Sequence, residues 1–290
     1  MIIDCRSALY MPASNERALA KGPTLAADAI IVDLEDSVAP DHKVLARARA
    51  VSALGGYNYD YRHRVLRINS AHTTWYTDDI EALAQCKPDA VVLPKVESVE
   101  HVQMLSSAMD KYDSLGQCEI WAMIESPLGV LNAAAIAASS QQYKRLSMLI
   151  VGNNDLARQA GMAVTAKREL LVPWIMTLIA ASKAYGLQIL DGVYNNHTDT
   201  DGFTAECQQA ASMGMDGKTL IHPSQLAISN RVFSPSNEEV EQAEQIVAAF
   251  SLPEHVDKGV ISINGQMTER LHLEMAKQVL QRVERLSRRT

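Results

Sequence analysis

The chain has 290 residues, of which 47% are hydrophobic and 21% are charged, and its formal net charge is −7. This composition can bury a large core in one domain or two, and the acidic balance excludes the basic surface that nucleic-acid binding requires. No apolar run approaches the roughly 18 residues that a membrane span needs. The first residues already carry charge at Asp4 and Arg6, so we expect a soluble cytoplasmic protein with no membrane contact. The four cysteines are widely spaced and form no Cys-x-x-Cys pair, which predicts reduced core residues.

Short apolar segments of strand type alternate with segments of helical spacing along most of the chain. This alternation indicates parallel strands joined by right-handed crossovers, and strands without polar alternation suit burial on both faces. The eight predicted strands are Ala8–Met11, Ala29–Val32, Arg64–Ile68, Ala90–Leu93, Ile120–Ile124, Met148–Val151, Gln188–Leu190 and Gly217–Leu220. The predicted helices between them are Asn15–Ala27, Asp41–Leu54, Asp78–Cys86, Ser98–Lys111, Val130–Ser139, Lys167–Tyr185 and Phe203–Met213.

A closed barrel and a doubly wound sheet both fit this order, but eight units favour the barrel. No G-x-G-x-x-G follows the first strand to support a dinucleotide fold. We therefore predict an α/β fold, a (β/α)₈ TIM barrel, over residues 1–233, followed by a C-terminal helical extension over 234–290. In that extension the sequence predicts a capped helix at Glu238–Phe250, an irregular segment at His255–Gly265 and a helix at Gln266–Ser287. The extension covers the barrel bottom, contacts a neighbouring subunit or acts as a lid.

Acidic residues follow two neighbouring predicted strands. Glu125 comes directly after the fifth strand, and Asp155 lies shortly after the sixth. Because the C-terminal ends of barrel strands face one mouth, these residues can share a pocket. Carboxylate oxygens are hard ligands that suit Mg²⁺, and Gly129 and Gly152 let the backbone approach closely. Each carboxylate alone could instead be a helix cap or an ion-pair partner.

A second acidic group, Asp33–Asp36, follows the second strand with three carboxylates in four residues. Such crowding disfavours full ionisation unless cations or donors lie close, although the acids could also stabilise the N-terminus of the next helix. The candidate cations are Arg67 after the third strand, Lys95 after the fourth and Arg6 beside the first. Their guanidinium and ammonium groups would balance the acids and bind an anionic substrate, but each could also be a structural ion pair.

The segment Asp216–Gln225, which includes the eighth strand, contains Lys218, His222 and Pro223. These residues could meet phosphate or adenine groups of a long cofactor, and a loop histidine with ordinary partners is the alternative. A Schiff-base mechanism would need a lysine with a lowered pKa, such as Lys95 or Lys218. Nearby carboxylates raise a lysine pKa, so a metal mechanism fits better. The sequence has no Walker A motif and no nucleophile elbow.

Eight motifs in this order resemble the citrate lyase β-subunit group of the HpcH/HpaI aldolase family, and the resemblance covers nearly the whole chain. Each motif alone is weak, but the ordered set is specific. The motifs are Arg6–Pro12, Asp33–Val38, Arg67–Asn69, Leu93–Glu97, Ile124–Ser126, Gly152–Leu156, Asp191–Tyr194 and Asp216–Gln225.

The resemblance implies a (β/α)₈ barrel, commonly a homotrimer, with Mg²⁺ held by Glu125 and Asp155 and with Arg67 as the substrate-binding arginine. It implies a carbon–carbon lyase that cleaves or forms a 3-hydroxyacyl thioester such as a citryl-, malyl- or citramalyl-thioester. The products are an acyl thioester and a 2-oxoacid such as oxaloacetate. The thioester carrier is coenzyme A or an acyl carrier protein, which is then a partner.

On chemical grounds we expect Arg67 to stabilise developing oxyanion charge, with Glu125 and Arg6 also contacting substrate. Glu35, Asp36 and Lys95 would tune the site around it.

One segment departs from the family pattern. Thioester-active members usually carry Asp-Gly-Lys-Met-x-Asp in the C-terminal extension, and its last Asp acts as acid or base in the adjacent subunit. The matching segment here, Asn264–Glu269, keeps a carboxylate only at Glu269. Either Glu269 replaces that catalytic group with a longer reach, or the chain is a non-catalytic or weakly active protein that binds thioesters and 2-oxoacids.

Overall fold

The computed structural model describes residues 4–163, 165 and 167–289. These residues form two compact units. The first is Cys5–Arg231, and the second joins Val232 and the residues after it to Asp4. Among the described helices, none has both the length and the apolar composition to cross a membrane.

In the first unit, eight parallel strands close into a barrel in chain order. Every predicted strand is present, and the predicted barrel is confirmed. The strand β2 shows why the sequence folds this way, since its apolar run is buried at every residue, as a strand covered on both faces must be. The strands are β1 Ser7–Pro12, β2 Ala29–Asp33, β3 His63–Arg67, β4 Ala90–Leu93, β5 Glu119–Ile124, β6 Leu146–Val151, β7 Gln188–Asp191 and β8 Gly217–Leu220.

Helices follow the strands, and most are shorter than predicted. The predicted helix Asn15–Ala27 ends at Lys21, because Gly22 and Pro23 lead into a 3₁₀ turn. The helices are α1 Glu16–Lys21, α2 Lys43–Gly56, α3 Tyr76–Cys86, α4 Val99–Met109, α5 Pro127–Leu131, α6 Ala133–Ala138, α7 Asn153–Gln159, α8 Val172–Ala184, α9 Thr200–Ser212 and α10 Leu226–Val232.

The second unit is not helical throughout. It contains α11 Asn237–Phe250, the antiparallel strands β9 Val260–Ile263 and β10 Gln266–Glu269, and α12 Arg270–Ser287. The prediction of a helix from Gln266 was wrong for its first four residues.

The reason is the dipeptide Asn264-Gly265, whose φ angles of 48° and 80° make the two-residue turn of a hairpin. This unit has its own apolar cluster, formed by Phe250, Ile261 and Leu273.

Candidate active site

Glu125 and Asp155 lie next to each other at the C-terminal end of the barrel strands. Glu125 directly follows β5 and is only 3% exposed, and its Oε1 accepts a hydrogen bond of 2.7 Å from the backbone N–H of Lys95. Asp155, in the first turn of α7, lines the same cavity as Glu125. The predicted carboxylate pair therefore forms one group of oxygen atoms at the barrel mouth.

Electrostatics favour a cation at this pair. Burial, together with the charges of Glu35 and Asp155, raises the pKa of Glu125 to about 8. At neutral pH this carboxyl group keeps its proton, because a second negative charge beside Asp155 is unfavourable. A divalent cation bound to both carboxylates can replace that proton. Among the described residues there is no set of three or more His, Cys, Asp or Glu arranged to hold a metal. Two carboxylates suit an ion such as Mg²⁺, which binds one or two carboxylates and keeps water or substrate oxygens as its other ligands.

Gly152 makes room for this pair. A Cβ atom at residue 152 would lie 2.3 Å from Cβ of Glu125 and 2.8 Å from its Oε2. Both distances are too short for real atoms, so any larger residue would push the Glu125 side chain away from Asp155. The absence of a side chain at Gly152 is therefore part of the site.

We expect Gly152→Ala to weaken Mg²⁺ binding by at least about tenfold, and to cost about 1–3 kcal/mol of stability as an overpacked residue does. Calorimetric titration with Mg²⁺ and thermal unfolding measure the two effects. Gly56→Ala is the matched control, because a Cβ there meets nothing within 4 Å. Equal Mg²⁺ affinity in the two variants would show that Glu125 does not need the space beside Gly152.

Arg67 is held rigidly by Asp33. The two residues end neighbouring strands and are paired in register between β2 and β3. Both Arg67 Nε and Nη2 donate to the Asp33 carboxylate at 2.6 Å. The same carboxylate accepts the backbone N–H of Glu35 and of Ser37. Although burial acts to raise it, the Arg67 guanidinium and these hydrogen bonds hold the pKa of Asp33 below its usual value.

Glu35 bridges Lys95 and Arg67, two cations of the mouth. Lys95 Nζ lies 2.7 Å from its Oε1, and Arg67 Nη1 lies 3.1 Å from its Oε2 and 3.4 Å from Asp36. Burial still raises the pKa of Glu35. Despite the opposing effect of burial, the hydrogen bond from Lys95 to Glu35 raises the pKa of the lysine, which keeps its ammonium charged and argues against a Schiff base. Lys95 also has a left-handed φ of 55°, a strained conformation of the kind found at functional sites.

A cavity of about 350 Å³ opens among these groups. It is lined by the carboxylates of Asp33, Asp36, Glu125 and Asp155 and by Arg67. The cavity can therefore hold a small anionic molecule only if a cation offsets the acids around it.

Lys43 reaches the acidic group from a position that the sequence did not indicate. It lies on α2 and is 5% exposed, and its Nζ donates to the carbonyl oxygens of Leu34 and Glu35 and to Asn69 Oδ1. Burial lowers the pKa of Lys43 in spite of the acids nearby.

The prediction that Arg6 contacts substrate at the mouth was wrong. Arg6 directly precedes β1, at the opposite end of the strand from the mouth, where it pairs with Asp28 at 2.8 Å. It is therefore a structural ion-pair partner.

Lys218 is also placed differently from the cofactor-binding position expected for it. It is 0% exposed, and its Nζ donates to Asp191, Glu206 and the carbonyl of Gly192 at 2.5–2.7 Å. Three acceptors match the three hydrogens of an ammonium group, so Lys218 is an internal ion-pair partner. The structure thus contradicts a role for Lys218 in contacting cofactor phosphates.

His222 keeps an exposed position after β8. Its Nδ1 lies 2.8 Å from Ser224 Oγ, and its ring packs edge-on against His197 with centroids 4.4 Å apart. Pro223 follows in a 3₁₀ turn. Contact of His222 and Pro223 with a cofactor stays a prediction.

Glu269 belongs to the second unit. It is the last residue of β10 and the residue before α12, and its backbone N–H donates to His272 Nδ1 at 2.9 Å. Its side chain is exposed. The catalytic role of Glu269 stays a prediction.

Comparison with known proteins fits the geometry of the mouth. Residues 6–223 match the family model described as HpcH/HpaI aldolase/citrate lyase. The chain belongs to this family. A (3S)-malyl-CoA thioesterase of Cereibacter sphaeroides is 43% identical over 282 residues, which are 97% of this chain and 95% of the relative. The citrate lyase subunit beta of Haemophilus influenzae is 32% identical over 96% of each chain.

Solved structures of the family have the same fold. Protein CitE of Mycobacterium tuberculosis, in complex with magnesium, acetoacetate and coenzyme A, is 29% identical with a TM-score of 0.77, over 95% of this chain and 97% of that chain. The sequence resemblance to the citrate lyase β-subunit group is thereby confirmed. Relatives of this chain include both thioester hydrolases and carbon–carbon lyases.

Proposed function

We propose that this protein is a Mg²⁺-dependent enzyme that hydrolyses a short hydroxyacyl-CoA thioester with a free carboxylate, such as (3S)-malyl-CoA. One observation carries the choice of reaction. Four relatives that are 42–44% identical over 97% of this chain are (3S)-malyl-CoA thioesterases. Relatives named as lyases are 29–32% identical.

Carbon–carbon cleavage of the same substrate class is the second candidate. It is favoured by the ordered strand-end motifs, which resemble the lyase members of the family. In that reaction the bond beside the hydroxyl carbon breaks, and the products are an acyl thioester and a 2-oxoacid.

The residues of the mouth serve either reaction. Glu125 and Asp155 would hold Mg²⁺, which polarises oxygen atoms of the substrate when bound. Arg67, kept in place by Asp33, stabilises negative charge that develops on the thioester oxygen. Lys95 and Glu35 form an ion pair beside Arg67 that can transfer protons and balance charge. Asp36 adds an exposed carboxylate next to Arg67.

Product analysis separates the two reactions. The purified protein is incubated with (3S)-malyl-CoA and Mg²⁺. Hydrolysis adds water and yields malate and free coenzyme A, whereas carbon–carbon cleavage yields acetyl-CoA and glyoxylate with no free thiol. We expect free thiol and malate in equal amounts. Stoichiometric acetyl-CoA and glyoxylate would establish the lyase instead, and absence of both product pairs would leave a binding protein.

Glu269 is proposed as the acid or base supplied by the C-terminal unit. We expect Glu269→Gln to lower kcat by about 10²–10⁴-fold, the usual contribution of general acid–base catalysis, with little change in malate binding. Glu269→Asp tests reach, because it keeps the carboxylate but removes one methylene. Glu274→Gln, in the adjoining helix and paired with Lys277 on the surface, is the control. Unchanged turnover in Glu269→Gln would place the base elsewhere, with Asp36 as the next candidate.

Further properties belong to the same proposal. We propose a homotrimer, and coenzyme A as the carrier in preference to an acyl carrier protein, with His222 and Pro223 near the carrier. Size-exclusion chromatography with light scattering tests the trimer. Comparison of turnover with coenzyme A and carrier-protein thioesters tests the choice of carrier.

A further inference from the structure

Lys43 connects two of the segments that carry charged residues of the mouth, the turns after β2 and β3. Its Nζ donates at 2.6 Å to the carbonyl of Leu34 and at 2.7 Å to the carbonyl of Glu35, in the turn after β2. It also donates at 2.7 Å to Oδ1 of Asn69, in the turn after β3. One buried ammonium group thus joins the turn that presents Glu35 to the turn that follows Arg67.

Further contacts hold this junction in place. Nζ of Lys43 lies 4.9 Å from the centre of the Trp75 ring, and Asn69 donates two hydrogen bonds to Asp79 from its backbone N–H and its Nδ2. Asp79 is in turn held by Arg47, one helical turn after Lys43 on α2. Every donor of the Lys43 ammonium has an acceptor, so the lysine fixes each of the two turns in one place.

The acceptors are informative because none of them is a carboxylate. A buried lysine usually pairs with an acid, and here the carboxylates of Glu35 and Asp33, in the turn that Lys43 contacts, pair with Lys95 and Arg67 instead. Lys43 binds the backbone of the acidic turn and leaves the carboxylates of that turn to the other cations. Its charge also offsets the three carboxylates of Asp33–Asp36 without occupying the cavity, since it is absent from the lining.

We infer that Lys43 is a positioning residue for the reaction at the mouth. By holding the carbonyls of Leu34 and Glu35 against Asn69, it sets the place of the Glu35 carboxylate between Lys95 and Arg67. The inference rests on the proposed thioester chemistry for its kinetic consequence. Its structural content, the place of Glu35, does not depend on which reaction occurs.

The test compares Lys43→Met with Arg47→Met. Both variants remove a cation of α2 from the same Asn69–Asp79 network, but only Lys43 touches the acidic turn. We expect Lys43→Met to lower kcat for malyl-CoA on the order of 100-fold, as a displacement of about 1 Å in a catalytic group does, with KM within about threefold. Arg47→Met should retain kcat within about threefold, when both are assayed well below their unfolding temperatures.

A crystal structure of Lys43→Met provides the second readout, which does not involve turnover. We expect the Glu35 carboxylate to leave its position between Lys95 Nζ and Arg67 Nη1. An unmoved Glu35, or equal losses of kcat in the two variants, would overturn the inference and leave Lys43 as a packing residue. A wild-type protein with no thioester turnover would overturn the proposed function alone, because the position of Glu35 in the variant still decides the role of Lys43.

Discussion

Glu125→Gln is expected to abolish Mg²⁺-dependent binding of malate and to reduce thioester turnover by at least about 10³-fold, since it removes one of the two proposed carboxylate ligands. The substitution is nearly isosteric. The amide oxygen of the introduced glutamine can still accept the Lys95 N–H, and its NH₂ group takes the place of the second carboxyl oxygen. Loss of function would therefore report the lost charge and not a lost shape. Calorimetric titration with malate in the presence of Mg²⁺ measures the loss of binding.

The same variant should change how stability depends on pH. Burial raises the pKa of Glu125 from 4.5 to about 8 in the folded protein. Between these values the folded state holds a proton that the unfolded state has lost, so the free energy of unfolding of the metal-free protein falls as pH rises through this window. The difference corresponds to at most about 5 kcal/mol above pH 8. Mg²⁺ should restore stability in the wild-type protein by replacing the proton.

The introduced glutamine carries no titrating proton, so the metal-free variant should lose less stability than the wild type between pH 5 and 8 and be the more stable of the two at pH 8. Thermal unfolding at both pH values, with and without Mg²⁺, checks this. Glu119→Gln is the control, because that carboxylate starts β5, away from the mouth, where it accepts from Ser147. Parallel metal-free pH curves for the wild type and the Glu125→Gln variant would show that the pKa of Glu125 is not raised, and equal stabilisation of the two by Mg²⁺ would remove Glu125 from the metal site.

The barrel could be predicted because its signals are local. Each strand is a short apolar run, and each helix follows with its own spacing, so strand order and the shared mouth follow from general rules of parallel sheets. Glu125, Asp155, Arg67 and Lys95 could be placed for the same reason, since each ends a strand or closely follows one. Position relative to a strand end was enough to bring them together.

The hydrogen-bond and ion-pair partners of these residues were harder to predict than their positions. Asp33 and Arg67 end adjacent strands, so their register could have indicated the bidentate ion pair that they form. No comparable signal marks Lys43, which reaches the mouth from the next helix through the length of its side chain. Arg6 and Lys218 were predicted to contact ligands because they are cationic. Arg6 precedes its strand and so lies at the opposite end from the mouth, and the side chain of Lys218 is taken up by buried acceptors.

The hairpin in the second unit did have a clear sequence signal. Asn-Gly is a strongly preferred pair for a two-residue turn, and Asn264-Gly265 stands between the two short strands. The family motif concerns residue identities over Asn264–Glu269 and does not describe the turn that Asn264-Gly265 makes. The structure places Glu269 at a junction of strand and helix, where its backbone is fixed by its strand partner and by His272.

Lys218→Met is expected to destabilise the protein by about 3–5 kcal/mol, because it removes one of the cations that compensate the buried Asp191 carboxylate and the neighbouring Glu206. Asp191 is 0% exposed, and without Lys218 its carboxylate retains Arg168 at 2.6 Å as a cation, while Glu206 retains the same arginine only at 3.7 Å. For a chain of this size the loss corresponds to a fall in Tm of roughly 10 °C. Thermal and urea unfolding measure it.

Lys183→Met is the matched control, since that lysine is 43% exposed and pairs with Asp216 at the surface. It should cost less than about 1 kcal/mol. A second variant, Lys218→Met with Asp191→Asn, should recover part of the loss, because it removes the charge that Lys218 compensates. If Lys218→Met instead kept full stability and raised KM for coenzyme A thioesters, the lysine would serve the carrier, as its place in the eighth strand first suggested. The depth of its burial and its three internal acceptors lead us to expect the loss of stability, with KM unchanged in the protein that remains folded.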